Sequence, residues 1–247
     1  MFAKAKSRLK KAFNRNSLSI FFWVEVMLGL QIMNAMDPTI RLMETFETRG
    51  REWMERQEET ISIPGNEEKY QAWLSGFDHL RSASLLKKLD VVQACINDSI
   101  TYTSDSAQYS MKEYWASPLQ TMLSLRGDCE DYAILKLCVL KYLGVPESRL
   151  NIVLVSSEPN GDKIDHAILV VDVSSANDKT ELLALNNSSE GPMPFKDVPY
   201  QPILMLSASN PPKAQRFGGF APGDTASVPV ISCNTAKGAF SHAQKGL

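Results

Sequence analysis

The sequence predicts an α+β fold in which helices come first and strands second. Three observations carry that prediction. A largely apolar helical run spans about Cys129 to Leu143, four short strand-like runs follow it, and the helical patterns before it contain no comparable strands. A chain of βαβ units would interleave the two kinds of element, so a helical layer packed on a separate sheet is expected.

Residues 1–16 hold six basic residues (Lys4, Lys6, Arg8, Lys10, Lys11 and Arg15) and no acid. The remainder then carries 20 basic against 28 acidic residues, although the whole chain has a formal charge of only −2. An apolar stretch from Ile20 to Met33 follows the basic run, the layout of a secretory signal. Residues 1–36 are therefore expected to be a signal or an anchor, with 17–36 the part that would meet a membrane. Two features oppose this. Glu25 interrupts the stretch where a charge is costly in lipid, and Asn34-Ala35-Met36 offers one small residue for cleavage. The stretch also falls short of the ~20 apolar residues of a spanning helix, so an amphipathic surface helix competes with both readings.

Residues 37–66 are charged, with Ile40, Met43, Phe46 and Trp53 at near-helical spacing, and read as a helical connector that Pro64-Gly65 ends. From Glu67 to about Asn97, Tyr70, Leu74, Phe77, Leu89 and Val92 mark a helical pattern that a turn near Gly76 or Ser82 divides. A polar segment, 97–112, leads into a short apolar run at Leu119–Leu125. The helix from Cys129 stops at Gly144, and Pro146 bars its continuation. Its apolar residues cover most of its circumference, as expected of a buried central helix. Leu150–Val155, Ala167–Val173, Leu182–Leu185 and Ile203–Leu206 are the strands. The main domain is thus set at 67–206, and the Ser-, Pro-, Gly- and Ala-rich segment 207–247 reads as a flexible tail.

A composition of 44% hydrophobic and 22% charged residues excludes a disordered, collagen-like or multi-span membrane chain. A near-neutral charge excludes a general nucleic-acid binder. None of the four cysteines and three histidines has zinc-motif spacing. Cys129 and Cys138 lie about 13 Å apart by helical rise, too far to pair. Cys95 and Cys138 sit among aliphatic residues as small hydrophobes.

Cys129 stands where the turn Arg126-Gly127-Asp128 enters the buried helix. A helix N-terminus favours the thiolate, and the Cys129 N–H could face a developing oxyanion. The thiol needs a base, and His166, opening a strand, is the candidate. Asn186, after the next strand, could orient the imidazole through its other nitrogen.

The runs Tyr114-Trp115-Ala116-Ser117-Pro118, Arg126-Gly127-Asp128-Cys129-Glu130-Asp131-Tyr132-Ala133 and Leu143-Gly144-Val145-Pro146 resemble the bacterial transglutaminase-like cysteine proteinases over residues 68–206. The resemblance implies a papain-like, transglutaminase-type fold, its Cys-bearing helix packed on an antiparallel sheet. It also implies peptide-bond hydrolysis by a Cys-His-Asp triad, with Cys129 and His166 at the nucleophile and base positions. The family's Leu-Asp-Asn segment reads here Leu185-Asn186-Asn187, so a neutral amide replaces the third carboxylate. Asp165 also precedes His166 where the family has a small or polar residue. The resemblance further implies a periplasmic location, a large surface adhesin as substrate and a cyclic-di-GMP-responsive membrane receptor as regulator.

Asp128 and Glu130 flank the thiol. One reading makes Asp128 an N-cap with Glu130 and Asp131 in a favourable first turn. The other, which the resemblance favours, makes Asp128 and Glu130 ligands of Ca²⁺, a hard cation that takes oxygen donors. The leading expectation is a calcium-dependent cysteine endopeptidase. A silent relative that binds calcium or protein, and an acyltransferase of transglutaminase type, are the alternatives.

Overall fold

The computed structural model describes residues 38–158, 163–174, 181–209 and 211–216. The segment 1–36 and the tail beyond 216 lie outside the described residues. The chain divides into two compact units, 1–44 and 45–247, and of the first only the opening of helix α1 (Pro38–Ile61) is described. Among the described residues no helix is long and apolar enough to cross a membrane.

Within the second unit, α1 is a core element. Phe46, Gly50 and Trp53 fall on one face at helical spacing and are buried. The Phe46 ring lies 6.0 Å from that of Trp115. Arg56 Nη1 donates to the Trp115 carbonyl at 2.8 Å, and Gln57 Oε1 accepts from Leu119 N–H at 3.0 Å. The segment expected as a connector therefore braces the loop that approaches the Cys129 helix.

Helix α2 (Asn66–Ser75) ends at Gly76, and α3 (Leu85–Ser99) starts at its cap Ser84, whose hydroxyl accepts from Lys87 N–H. The expected division lies between them. The polar segment folds into strand β1 (Thr101–Tyr102) and the one-turn helix α4 (Asp105–Gln108). Helix α5 (Pro118–Ser124) starts with a capping box: Ser117 and Gln120 satisfy each other's backbone N–H, with Pro118 at the first position. Strand β2 (Arg126–Gly127) pairs parallel with β1 and delivers the chain to α6 (Cys129–Tyr142).

Helix α6 is buried almost all round, and it packs against α3 on one side and strands β3 and β4 on the other. Burying each large aliphatic side chain contributes roughly 1.5–3 kcal/mol. The helix stops in a Schellman motif. Gly144, at φ 82°, donates to Lys141 O at 2.9 Å, and Val145 N–H donates to Leu140 O at 3.0 Å.

The sheet is antiparallel throughout. It comprises β3 (Leu150–Ser156), β4 (His166–Asp172), β5 (Leu182–Leu185), β6 (Met193–Pro194), β7 (Gln201–Ser207) and β8 (Ala214–Arg216), in the order β6-β5-β4-β3-β7-β8. Val153, Val155, Ile168, Val170, Ala184 and Phe195 form one of its buried clusters. The sheet runs past the boundary expected at Leu206. Ala208 and Ala214 are buried, and Ala214 N–H donates to Glu47 Oε1 at 2.9 Å. This stretch pairs through its backbone and covers the β7 edge, so its small and polar composition concealed a strand.

Candidate active site

Cys129 is the first residue of α6 because β2 and Asp128 turn the chain directly into the helix. His166 opens β4, opposite Val155 of β3. The two residues line one cleft, with Ala167 beside them and Phe46, Tyr102 and Trp115 on its walls. Asn186 follows the last residue of β5, and its Oδ1 lies 2.9 Å from His166 Nε2. The Tyr200 ring lies 5.0 Å from the imidazole.

The hydrogen bonds fix the imidazole's tautomer. Ser188 N–H, which can only donate, points at the same Asn186 atom at 3.2 Å. That atom is therefore the amide oxygen, and His166 Nε2 carries the proton that it accepts. Nδ1 keeps its lone pair, as a base for a thiol requires. Burial pulls the His166 pKa below its usual value, against the opposing pull of the Asn186 bond and the Asp165 charge. Asp165 itself accepts from the backbone and hydroxyl of Ser157 at 2.9 and 2.5 Å.

The thiol of Cys129 donates to Glu130 Oε2 at 3.1 Å, not to His166. Burial and the neighbouring charge of Glu130 raise its pKa strongly, the bond to Glu130 and the charge of Asp128 add to this, and a hydrogen bond from Ala167 N–H opposes it. The helix terminus alone does not make this sulfur a thiolate.

The acids beside it explain why. Oxygens of Asp105, Asp128 and Asp131 lie within 4.8 Å of one another, as do those of Asp105, Glu113 and Glu130. Asp128 stands at the N-cap position but makes no side-chain cap bond, and its Oδ2 accepts instead from Asp105 N–H at 3.3 Å. Asp131 Oδ1 accepts from Ala116 N–H at 2.9 Å, and Asp105 Oδ2 accepts from Tyr114 N–H. Each carboxylate thus holds a loop with one oxygen, while Asp105 Oδ1, Asp128 Oδ1 and Asp131 Oδ2 are buried without a hydrogen-bond partner among the described residues. Burial and the charge of Asp128 raise the pKa of Asp105 to about 6 and push those of Glu130 and Asp131 well up. Unpaired buried carboxylate oxygens from separate segments are a hard-cation donor set, and the residues present fit one.

The structure therefore joins Asp128 and Glu130, expected from the sequence, to Asp105, Glu113 and Asp131. Asp131 was legible two residues past the cysteine. Asp105 lies in the polar segment and carries no local signal.

The family model of the bacterial transglutaminase-like cysteine proteinases matches residues 75–217. The chain belongs to that family. No curated protein matches it in sequence. Among solved structures, Legionella pneumophila LapG is 21% identical with a TM-score of 0.50, covering 78% of this chain and 96% of its own. The calcium-bound form of that protein gives 21% identity, a TM-score of 0.51 and coverage of 78% and 97%. Its EGTA-treated form gives 20%, 0.51, 78% and 96%. The shared architecture is the transglutaminase-like fold, and the chain is a cysteine peptidase of this family by its sequence match.

Proposed function

We propose that the chain is a calcium-dependent cysteine endopeptidase in which Cys129, His166 and Asn186 act as the triad. The observation that carries this is the bond from His166 Nε2 to Asn186 Oδ1, which leaves Nδ1 unprotonated on the wall of the cleft that also holds Cys129. The thiol turns from Glu130 and gives its proton to Nδ1. Sulfur adds to the scissile carbonyl, whose oxyanion takes a hydrogen bond from Cys129 N–H. The imidazolium protonates the leaving amine, giving a thioester. Water, deprotonated by His166, then releases the acid and restores the thiol. Asn186 keeps the ring in register but adds no charge against the imidazolium.

Asp105, Asp128, Glu130 and Asp131, with Glu113 at the edge, would hold Ca²⁺, whose charge would offset the carboxylates that raise the thiol's pKa. The unpaired oxygens support this reading, as do the calcium-bound and EGTA-treated forms in which LapG has been solved.

The substrate is a protein, and the family resemblance directs attention to a large surface adhesin and a cyclic-di-GMP-responsive membrane receptor as regulator. Export to the periplasm by residues 1–36, with 17–36 as an anchor if that segment is retained, completes the reading. The test is incubation of wild type and Cys129→Ala with surface proteins of the native host, with calcium and with EGTA. Cleavage only by calcium-loaded wild type supports the proposal. No cleavage, with Cys129 inert to a thiol-reactive peptide, favours a silent binding relative.

A further inference from the structure

Helix α3 reaches the triad from behind. Gln93 Nε2 donates to the Asn186 carbonyl at 2.5 Å, to the Ser189 carbonyl at 3.2 Å and to the Ser189 hydroxyl at 3.0 Å. One turn later, Asn97 Nδ2 donates to the same two carbonyls, each at 3.0 Å. Gln93 is fully buried, and Asn186 is 3% exposed. The Ser189 hydroxyl donates to Gly191 O, and Ser189 N–H donates to Asn186 O, so the loop closes on itself over the two amides. Carbonyls only accept, which assigns nitrogen, not oxygen, to the contacting end of each amide.

This clamp has a chemical consequence because residue 186 is an amide. A carboxylate presents an acceptor whichever way it turns, and charge draws it to an imidazolium. An amide turned over would present N–H to Nε2 and select the opposite tautomer. In Ser-His-Asp proteases an Asp-to-Asn exchange costs about 10⁴ in rate through that error. Here the backbone of the 186–189 loop must be held so that Ser188 N–H meets Oδ1.

We propose that Gln93 and Asn97 are positioning residues that hold the 186–189 loop so that Asn186 presents its oxygen to His166 and keeps the proton on Nε2. This rests on the cysteine-peptidase reading above. Gln93→Glu and Asn97→Asp preserve shape and remove the amide donors. In the full-length, calcium-loaded protein, ¹⁵N NMR of the His166 ring reports the tautomer, and the rate at which iodoacetamide labels Cys129 at pH 7, read by peptide mass, reports the assembled pair. Wild type should show Nε2–H alone, and each folded variant a mixture of tautomers, with labelling slowed between about 10- and 100-fold. Should Gln93→Glu not fold, Asn97→Ser at its half-buried position supplies the same two readouts with the same expectation. A folded Asn97 variant with wild-type tautomer and labelling overturns the clamp alone. Wild-type labelling no faster than in His166→Ala overturns the peptidase reading, and the clamp with it.

Discussion

A Cβ added to Gly127 would lie 2.6 Å from both the Cβ and the Oδ2 of Asp131. The glycine is what allows β2 to pass close to the first turn of the Cys129 helix, against the Asp131 side chain. Gly127→Ala must therefore displace Asp131 or the strand. The expected result is a lower Tm and a calcium affinity weakened by at least about tenfold, measured by calorimetric titration. An unchanged affinity would remove Asp131 from the proposed ligand set.

The metal-free protein should lose stability as pH rises. Asp105 has a folded pKa of about 6, above its usual 3.8, and Glu130 and Asp131 shift the same way. Between the unfolded and folded values the native state binds more protons, so stability is highest below pH 4 for these groups and declines through pH 6. Calcium should reverse this and raise Tm more at pH 7.5 than at pH 5. Scanning calorimetry with calcium and with EGTA checks both signs.

The His166 ring should titrate below its usual 6.5, because burial outweighs the Asn186 bond. Below 6.5 the unfolded chain then takes up a proton that the native state refuses, so this residue's contribution to stability falls with acidification. Asn186→Asp adds a charge that favours the imidazolium and should move the titration upward. An NMR pH series on the ring Cε1–H of wild type and variant measures the displacement.

Lys136 is fully buried on α6, its Nζ has no hydrogen-bond partner among the described residues, and it lies 5.8 Å from the Tyr132 ring centroid. Burial lowers its pKa from 10.5 to about 7. Between those values the unfolded chain holds the extra proton, so native stability grows as pH rises from 7 to 10. Lys136→Met should raise Tm by several degrees at pH 7 and flatten that dependence. A lower Tm in the variant would mean that the ammonium has a partner in solution.

Trp53, 5% exposed, tests whether α1 is integral to the body. Trp53→Ala should cost about 3–5 kcal/mol, read from denaturant midpoints. A cost below about 0.5 kcal/mol, as for surface positions, would restore the helix to a mere connector.

Much of the candidate site was legible because its residues stand at local landmarks of the sequence. The turn before Cys129 and the apolar helix after it set the place of the proposed nucleophile, His166 stands at a strand's start, and Asn186 follows the next strand. Strands β3, β4, β5 and β7 and the stop at Gly144 follow from period and turn residues alone. The remainder depends on contacts made across the fold. Asp105 becomes a cluster member only when Tyr114 and Asp128 pin it. Gln93 looks like a polar slip on an apolar helix face until the 186–189 loop lies against it. Ala214–Arg216 has no strand signature, since its pairing is through the backbone and its neighbour β7 comes from upstream.

The contact between Glu47 and Ala214 N–H, with Pro212 pressed on Gly50, spans 167 residues between its bonded partners. A ribosome makes Glu47 long before it makes Ala214. The emerging helix must wait, its apolar face without its final cover, until nearly the whole domain has been synthesised. Long-range closures of this kind are slow and leave intermediates open to association. A chain released early, short of residue 214, would lack the edge strand β8 and the bond that fastens helix α1.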